Sequence, residues 1–470
     1  MMSRSLCFLA LLLGVLATGA IVRAEPLEIG VAAVGINPPK GYRMAGYYAE
    51  RRNTGTLDEL HARAIVFREG GFQAALVFCD LVAVPRDVAT RARERIAARS
   101  GIPVTNVAVA ATHSHTGPLY YGVLRTLLHD RAVKATGEDA TDSSVDYPSV
   151  LVQKIGEAVE AAAAKLAPAS VRAGFVTETG LAFNRRFQMK DGSVRFNPGA
   201  LNPDVVRPAG PIDSQVGVLL IDRPGDKKPF AGLTVFALHL DTVGGTAYSA
   251  DYPFFLGEEL RRAFGPNFLS VFGAGTCGDI NHIDVSRRDR AKTEEIGRQL
   301  GRDVVEQTGA LKPLQHPALA VLSKTLELPL QTATADELAA ARKVLARLGT
   351  EPTPFLELVK AAKIIDLADT YKTPTTALEV QVFRLDGATA LVTLPGEVFV
   401  EHGLALKKAS PFPTTLVVEL ANACPAYIPT LKAAREGSYE VLNSRLAPGG
   451  GEKLVEAAVG MLKQLHTSKP

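Results

Sequence analysis

The segment Ala74-Ala75-Leu76-Val77-Phe78 carries no polar side chain on either of the two faces that an extended chain presents. A strand of that kind must be covered on both sides, which requires a sheet sandwiched between other layers. The same character recurs along the chain, with strand-like runs at 29–36, 62–67, 73–79, 106–112, 170–177, 216–221, 233–240, 268–272, 318–328, 379–383 and 416–420. Helical patterns fall between them at 87–99, 148–166, 254–264 and 293–311, and an amphipathic stretch at 452–465 follows the last strand. This alternation predicts an α/β fold, a layered mixed sheet covered by helices. Thr334-x-x-Glu337 reads as a capping box opening a helix that Gly349 closes, so 332–371 is expected to be a helix-rich insertion between two strands. The stretches 119–146 and 203–211 lack a clear period and read as irregular connections.

The first 24 residues stand apart from this pattern. Arg4, an apolar run from Leu6 to Leu16, and Val22-Arg23-Ala24 before Glu25-Pro26 make a cleavable signal peptide, leaving 25–470 as the folded domain. No later run is long and apolar enough to span a bilayer, so the mature chain is expected to be secreted or periplasmic with no transmembrane segment. A net charge of +3 says nothing about nucleic acid, and with no basic tract to suggest one, no nucleic-acid partner is expected. Beyond the signal peptide lie Cys79, Cys277 and Cys424, which allow at most one intramolecular disulfide and leave a free thiol.

Chemistry-bearing residues collect where strands end. In Ala111-Thr112-His113-Ser114-His115-Thr116-Gly117-Pro118 the histidines are two apart, so on a strand both imidazoles point at one object. That object is a zinc ion or, as an H-x-H taken alone favours, only the other histidine in a hydrogen-bonded surface pair. In His239-Leu240-Asp241 the carboxylate shares the imidazole's face and can orient it or hold a water. Asp251, before a helix, reads as a cap or a functional carboxylate. Gly275-Thr276-Cys277-Gly278-Asp279-Ile280-Asn281-His282 is small and polar enough for a ligand to approach its backbone, or for an ordinary turn. Glu397 in Leu394-Pro395-Gly396-Glu397 is a helix-start charge on its own, and Tyr427 and Tyr439 are packing residues on their own. No H-E-x-x-H helix is present, which argues against the common metalloproteases.

Taken in order, these segments resemble the neutral/alkaline non-lysosomal ceramidases. The matching stretches are Thr112 to Pro118, the strand-end His239, Gly278-Asp279, Pro395-Gly396-Glu397, and Ala421-Asn422 with Tyr427 and the later Tyr439. Met44-Ala45-Gly46-Tyr47 and His61-Ala62-Arg63-Ala64 extend the resemblance toward the N-terminus. It implies a ceramidase-like catalytic domain with His113, His239, Glu397 and Tyr427 as ligands of a catalytic Zn²⁺, a nitrogen and oxygen set suited to that ion. It also implies His115 as proton carrier, Tyr439 as oxyanion stabiliser and Arg185 facing the site, with Asp241 and Asp279 supporting the ligands from behind. Asn281 stands where the family has a serine, and can still donate a hydrogen bond. The longer ceramidases' C-terminal sandwich domain has no counterpart before Pro470.

The activity implied is hydrolysis of an amide, in ceramide or another small-molecule or lipid N-acyl substrate, by metal-activated water. Two other readings fit the residues alone. One is a β/α-barrel metal hydrolase, which also puts H-x-H at a strand end, and the other a non-catalytic binding protein that keeps the fold.

Overall fold

In the computed structural model, which describes residues 26–468, the strands assemble into three large sheets. The signal-peptide segment lies outside the described residues. The first sheet runs Val107–Ala111, Phe72–Cys79, His61–Glu69, Leu27–Gly35 and Ala167–Pro168. The second runs Leu269–Ala274, Ala231–Phe236, Gln215–Asp222, Ser170–Thr177 and Lys312–Pro313. The third runs Ala320–Pro329, Thr375–Arg384, Thr389–Thr393 and Thr414–Val418. None of the three closes on itself, so the β/α-barrel reading is overturned: the strands form open mixed sheets in layers.

The doubly apolar strands are explained by what covers them. Leu76, Phe78, Ala108 and Ala110 of the first sheet meet Leu219, Leu233 and Val271 of the second and Phe383, Leu391 and Leu416 of the third in one shared core. Their neighbours in sequence, one residue on, face outward under helices. Ala75, Val77 and Val109 lie against Val88, Ala92 and Ile96 of helix Arg86–Ser100 and Leu151, Ile155 and Val159 of helix Tyr147–Ala163. Helices Tyr252–Phe264 and Thr293–Glu306 cover the second sheet in the same way, and Gly450–Thr467 covers the third. Because central strands such as Phe72–Cys79, Val107–Ala111 and Ala231–Phe236 are buried on both faces, the loops at their ends are where polar side chains can gather.

The insertion folds as the capping box indicates, into Ala335–Ala346 and Phe355–Asp369, with the Thr334 hydroxyl accepting from Glu337 N–H. The expectation of an irregular 119–146 is corrected, since helix Gly122–Thr136 and the short turn Ala140–Ser143 lie there. Val123, Leu124 and Leu127 pack against Leu345, Leu358 and Ala362 of the insertion, a cover that exists only after distant segments meet. One signal was legible: Gly137 closes that helix in the left-handed conformation, its N–H on Val133 O. The second irregular stretch, 203–211, holds the strand Val205–Pro208, which pairs with Arg186–Met189 across a register shift. It is mostly exposed, so no alternation marked it. Cys79, Cys277 and Cys424 are all free thiols, and no helix among the described residues is long and apolar enough to cross a membrane.

Candidate metal centre

Each large sheet contains one parallel pair of strands: Phe72–Cys79 with Val107–Ala111, Ala231–Phe236 with Leu269–Ala274, and Thr389–Thr393 with Thr414–Val418. Ligand sites of open α/β sheets form beyond the carboxyl ends of such strands. Here the loops leaving those ends meet, and they carry His113, His239, Cys277 to Asn281, Glu397 and Tyr427. Several are turned sharply to do so. His113, Asn422 and Ala426 hold φ values of 81°, 60° and 62°, a strain that persists only where the surroundings over-determine it. Gly278 is needed for a different reason: a Cβ there would lie 2.6 Å from the carbonyl oxygen of Glu397. The two loops touch through bare backbone.

The imidazoles are set by their outer nitrogens. His113 Nδ1 is 2.8 Å from Val82 O and His239 Nδ1 is 2.9 Å from Cys277 O. A carbonyl only accepts, so each Nδ1 carries the proton and each neutral ring presents a bare Nε2 lone pair. Those two Nε2 atoms are 3.0 Å apart. Glu397 Oε2 lies 3.4 Å from the first and 3.5 Å from the second, and makes no hydrogen bond of its own. Two lone pairs and a carboxylate oxygen aimed at one another in a buried place call for a cation. Burial lowers the His113 pKa, but the Glu397 carboxylate outweighs it and raises the value. His239, desolvated and beside Arg185, is pushed down to about 4. Burial works against Glu397, yet the imidazoles hold it well below the usual carboxylate range.

His115 joins this group, its Nε2 3.3 Å from that of His113, and the three histidines offer ring nitrogens within 4.8 Å of one another. Its Nδ1 is buried without a partner, and burial with His113 alongside pushes it down to about 3, so it is neutral at neutral pH. Gly46 lets the His115 backbone approach, with a φ of 101° and no room for a Cβ beside His115 O and Cα. Tyr427 is the backbone partner of Glu397 in a two-residue parallel bridge. Its ring is 5.4 Å from that of Tyr439, and the Arg185 guanidinium lies 5.4 Å and 5.7 Å from the two ring centres. Arg185 also places Nη1 3.3 Å from His239 Nε2 and donates from Nη2 to Gly278 O at 2.8 Å.

The remaining expected residues have specific places. Asp241 lies 3.3 Å from His282 Nδ1, and although burial opposes ionisation the surrounding imidazoles hold it well below its ordinary value. Asp279 is hydrogen-bonded away from the imidazoles, to backbone and amide donors. It accepts from Val400 N and Asn184 Nδ2, tying the segment after Glu397 to the one before Arg185, and burial pushes it up to about 6. Asn281 donates from Nδ2 to Asn197 Oδ1 at 2.9 Å and accepts from Ile283 N at 3.0 Å. Asp251 is the cap of helix Tyr252–Phe264 and gathers the N–H groups of Thr242, Val243 and Tyr252. His402 is buried against Gly451, outside the site.

Several contributors escape sequence reasoning. Glu440 is fully buried and pairs with both Arg185 and Arg186 at 2.9 Å. Glu419, pushed up to about 8 by burial, accepts from Cys277 Sγ and Val398 N–H, so it braces the His239 and Glu397 loops against each other. Phe196 stacks on Tyr439 at 4.6 Å, and Phe355 of the insertion lies 5.4 Å from the same ring. Glu440 adjoins Tyr439 in the chain, which is the one cue that existed; the others have none.

No known family's sequence profile matches the chain, and no curated protein matches it in sequence. Solved structures do resemble it. Neutral ceramidase from Pseudomonas aeruginosa superposes with a TM-score of 0.71 at 21% identity, covering 94% of this chain and 75% of that one. A ceramidase complexed with C2 superposes with the same TM-score at 19% identity and the same coverage. The chain therefore has the neutral ceramidase fold over nearly its whole length.

Proposed function

We propose that this protein is an exported, zinc-dependent amidohydrolase of the neutral ceramidase family, cleaving a lipid or other N-acyl amide. The observation that carries the reading is the pair of Nδ1-anchored imidazoles whose bare Nε2 atoms face each other at 3.0 Å beside the unpartnered Glu397 Oε2. His113, His239, Glu397 and Tyr427 would hold the ion, a donor set of neutral imidazoles and oxygens that fits Zn²⁺. Bound there, zinc supplies a Lewis acid and makes a water nucleophilic at neutral pH.

The chain's own residues account for the rest. His115 is neutral and stands beside the ligands with a free Nδ1, suited to take the proton of the attacking water and return it to the leaving nitrogen. Attack forms a C–O bond at the carbonyl carbon, and the C–N bond then breaks with the amine departing as a neutral molecule. Tyr439 donates to the carbonyl oxygen as it gains charge, and Arg185, close to both tyrosine rings, favours that negative charge. Phe196 and Phe355 wall this position from water with apolar surface.

The test is metal content by elemental mass spectrometry together with amine release from a panel of N-acyl substrates. We expect one zinc per chain, loss of turnover on chelation, and loss of both metal and turnover in His239→Ala. A chelated enzyme that keeps full activity sinks the reading.

A further inference from the structure

Glu397 of the metal centre also lines a cleft of about 960 Å³, whose wall runs from it past Asn443 and Arg445 to the ends of helices Arg86–Ser100 and Phe355–Asp369. Within it Arg445 is only 8% exposed, and its guanidinium is held on two sides. Nε donates to Asp366 Oδ2 at 2.8 Å and Nη1 to Asn443 Oδ1 at 2.6 Å. Nη2 makes no hydrogen bond with any described residue, yet it is not sealed from solvent. It is the one nitrogen left to the cleft. The phenols of Tyr121 and Tyr371, on the same wall, likewise have no hydrogen-bond partner among the described residues.

The position of this group relative to the centre is set by Asn443. Its Oδ1 is taken by Arg445 Nη1 and the Tyr48 hydroxyl, so its Nδ2 must face Tyr439, whose oxygen lies at 3.5 Å. A single amide side chain thus separates the Tyr439 hydroxyl from a fixed, buried guanidinium. Charge in the cleft points the same way. Asp366 is committed to Arg445 and to Thr370, and the mouth carries Arg86 and Arg91 against Asp87, so cations exceed carboxylates beyond Glu397.

We propose that this cleft takes an amide bearing a carboxylate close to the scissile bond, an N-acyl amino acid or its acyl-side counterpart, with Arg445 Nη2 and Tyr371 as the groups that recognise the carboxylate. This rests on the amidohydrolase reading above and narrows it, since an uncharged sphingoid amide offers the guanidinium nitrogen oxygen acceptors but no opposite charge. A planar guanidinium already locked by its other nitrogens loses little freedom on binding, which suits it to select by charge and geometry together.

The zinc-loaded enzyme would be given N-octanoylglycine, N-octanoylethanolamine, and the monoethanolamide of octanedioic acid. The first and second differ by a carboxylate for a hydroxyl, and the third puts the carboxylate on the acyl half. We expect one carboxylate-bearing amide to exceed the neutral one in kcat/KM by about 10- to 100-fold, mostly through KM, the scale of one charged hydrogen bond. Arg445→Gln should bring that ratio close to one. Tyr371→Phe, which removes a single hydroxyl and disturbs no ion pair, should lower it several-fold in an intact fold. Preference for the neutral amide, or a ratio that neither substitution moves, overturns the proposal. If no amide is cleaved, the amidohydrolase reading has failed, and calorimetric binding of N-octanoylglycine to wild type and to Arg445→Gln still decides this one: equal affinities refute it.

Discussion

Glu440 is the single carboxylate paired with Arg185 among the described residues, and replacing it with glutamine separates the electrostatics of the site from its shape. The carboxylate contacts Arg185 and Arg186 at 2.9 Å, with all three side chains buried. At that distance each pair attracts by about 6 kcal/mol at an effective dielectric near 20. Desolvation cancels most of this while the group is whole, and removing one partner of a buried pair costs about 3–5 kcal/mol because a bare charge stays behind. Arg186 keeps Glu436 at 3.2 Å, whereas Arg185 has no second carboxylate within ion-pair distance among the described residues. Glu440→Gln should therefore lower unfolding free energy by roughly one broken pair, about 3–5 kcal/mol. The freed charge also acts on His239, 3.3 Å from Arg185 Nη1, and should repel a divalent ion there. Outer partners of metal ligands typically change affinity by about 10–100-fold, and we expect a weakening within that range. Urea unfolding of the metal-free protein gives the first quantity and competition against a zinc-sensitive chelating dye gives the second. A variant within 1 kcal/mol of wild type and unchanged in zinc affinity would refute the argument.

Three more outcomes follow from the geometry. Asn281→Ala removes the contacts to Asn197 and Ile283 and should cost about 1–3 kcal/mol and raise KM more than it lowers kcat, because the loop carrying Phe196 loosens; a drop confined to kcat contradicts this. Gly278→Ala drives a methyl against the Glu397 carbonyl, so unfolding measurements should show a loss of about 1–3 kcal/mol and elemental analysis a sub-stoichiometric zinc content, while full loading at unchanged stability would show that the loops are not in contact. Burial opposes ionisation of Asp139, but Arg43 at 2.5 Å outweighs it and holds the carboxyl well below its usual range. The folded chain thus binds that proton more weakly than the unfolded one, so the stabilisation is present above about pH 4 and is lost as pH falls further. Asp139→Asn should flatten stability against pH in that acid range, and an unchanged slope there would count against it.

Much of the architecture was written locally. The doubly apolar strands demanded layers, the Thr334 and Glu337 box announced the insertion, and the His113, His239 and Glu397 motifs sat where strands end. These are readable because period, capping and turn chemistry act over a few residues. Helix Gly122–Thr136 was missed since its apolar side is covered by the insertion, more than two hundred positions away in the chain. Strand Val205–Pro208 was missed because an exposed edge needs no alternation. For the site, spacing could nominate imidazoles but not say which nitrogen each would present. That choice belongs to Val82 O and Cys277 O, backbone acceptors whose positions exist only once each histidine's strand has paired with its parallel neighbour. Glu419 and Arg445 were equally silent, and Glu440 was marked only by its place next to Tyr439. A charged residue in sequence looks the same whether it ends in water or in the core, and only tertiary packing decides which charges are stripped of water and made to answer one another.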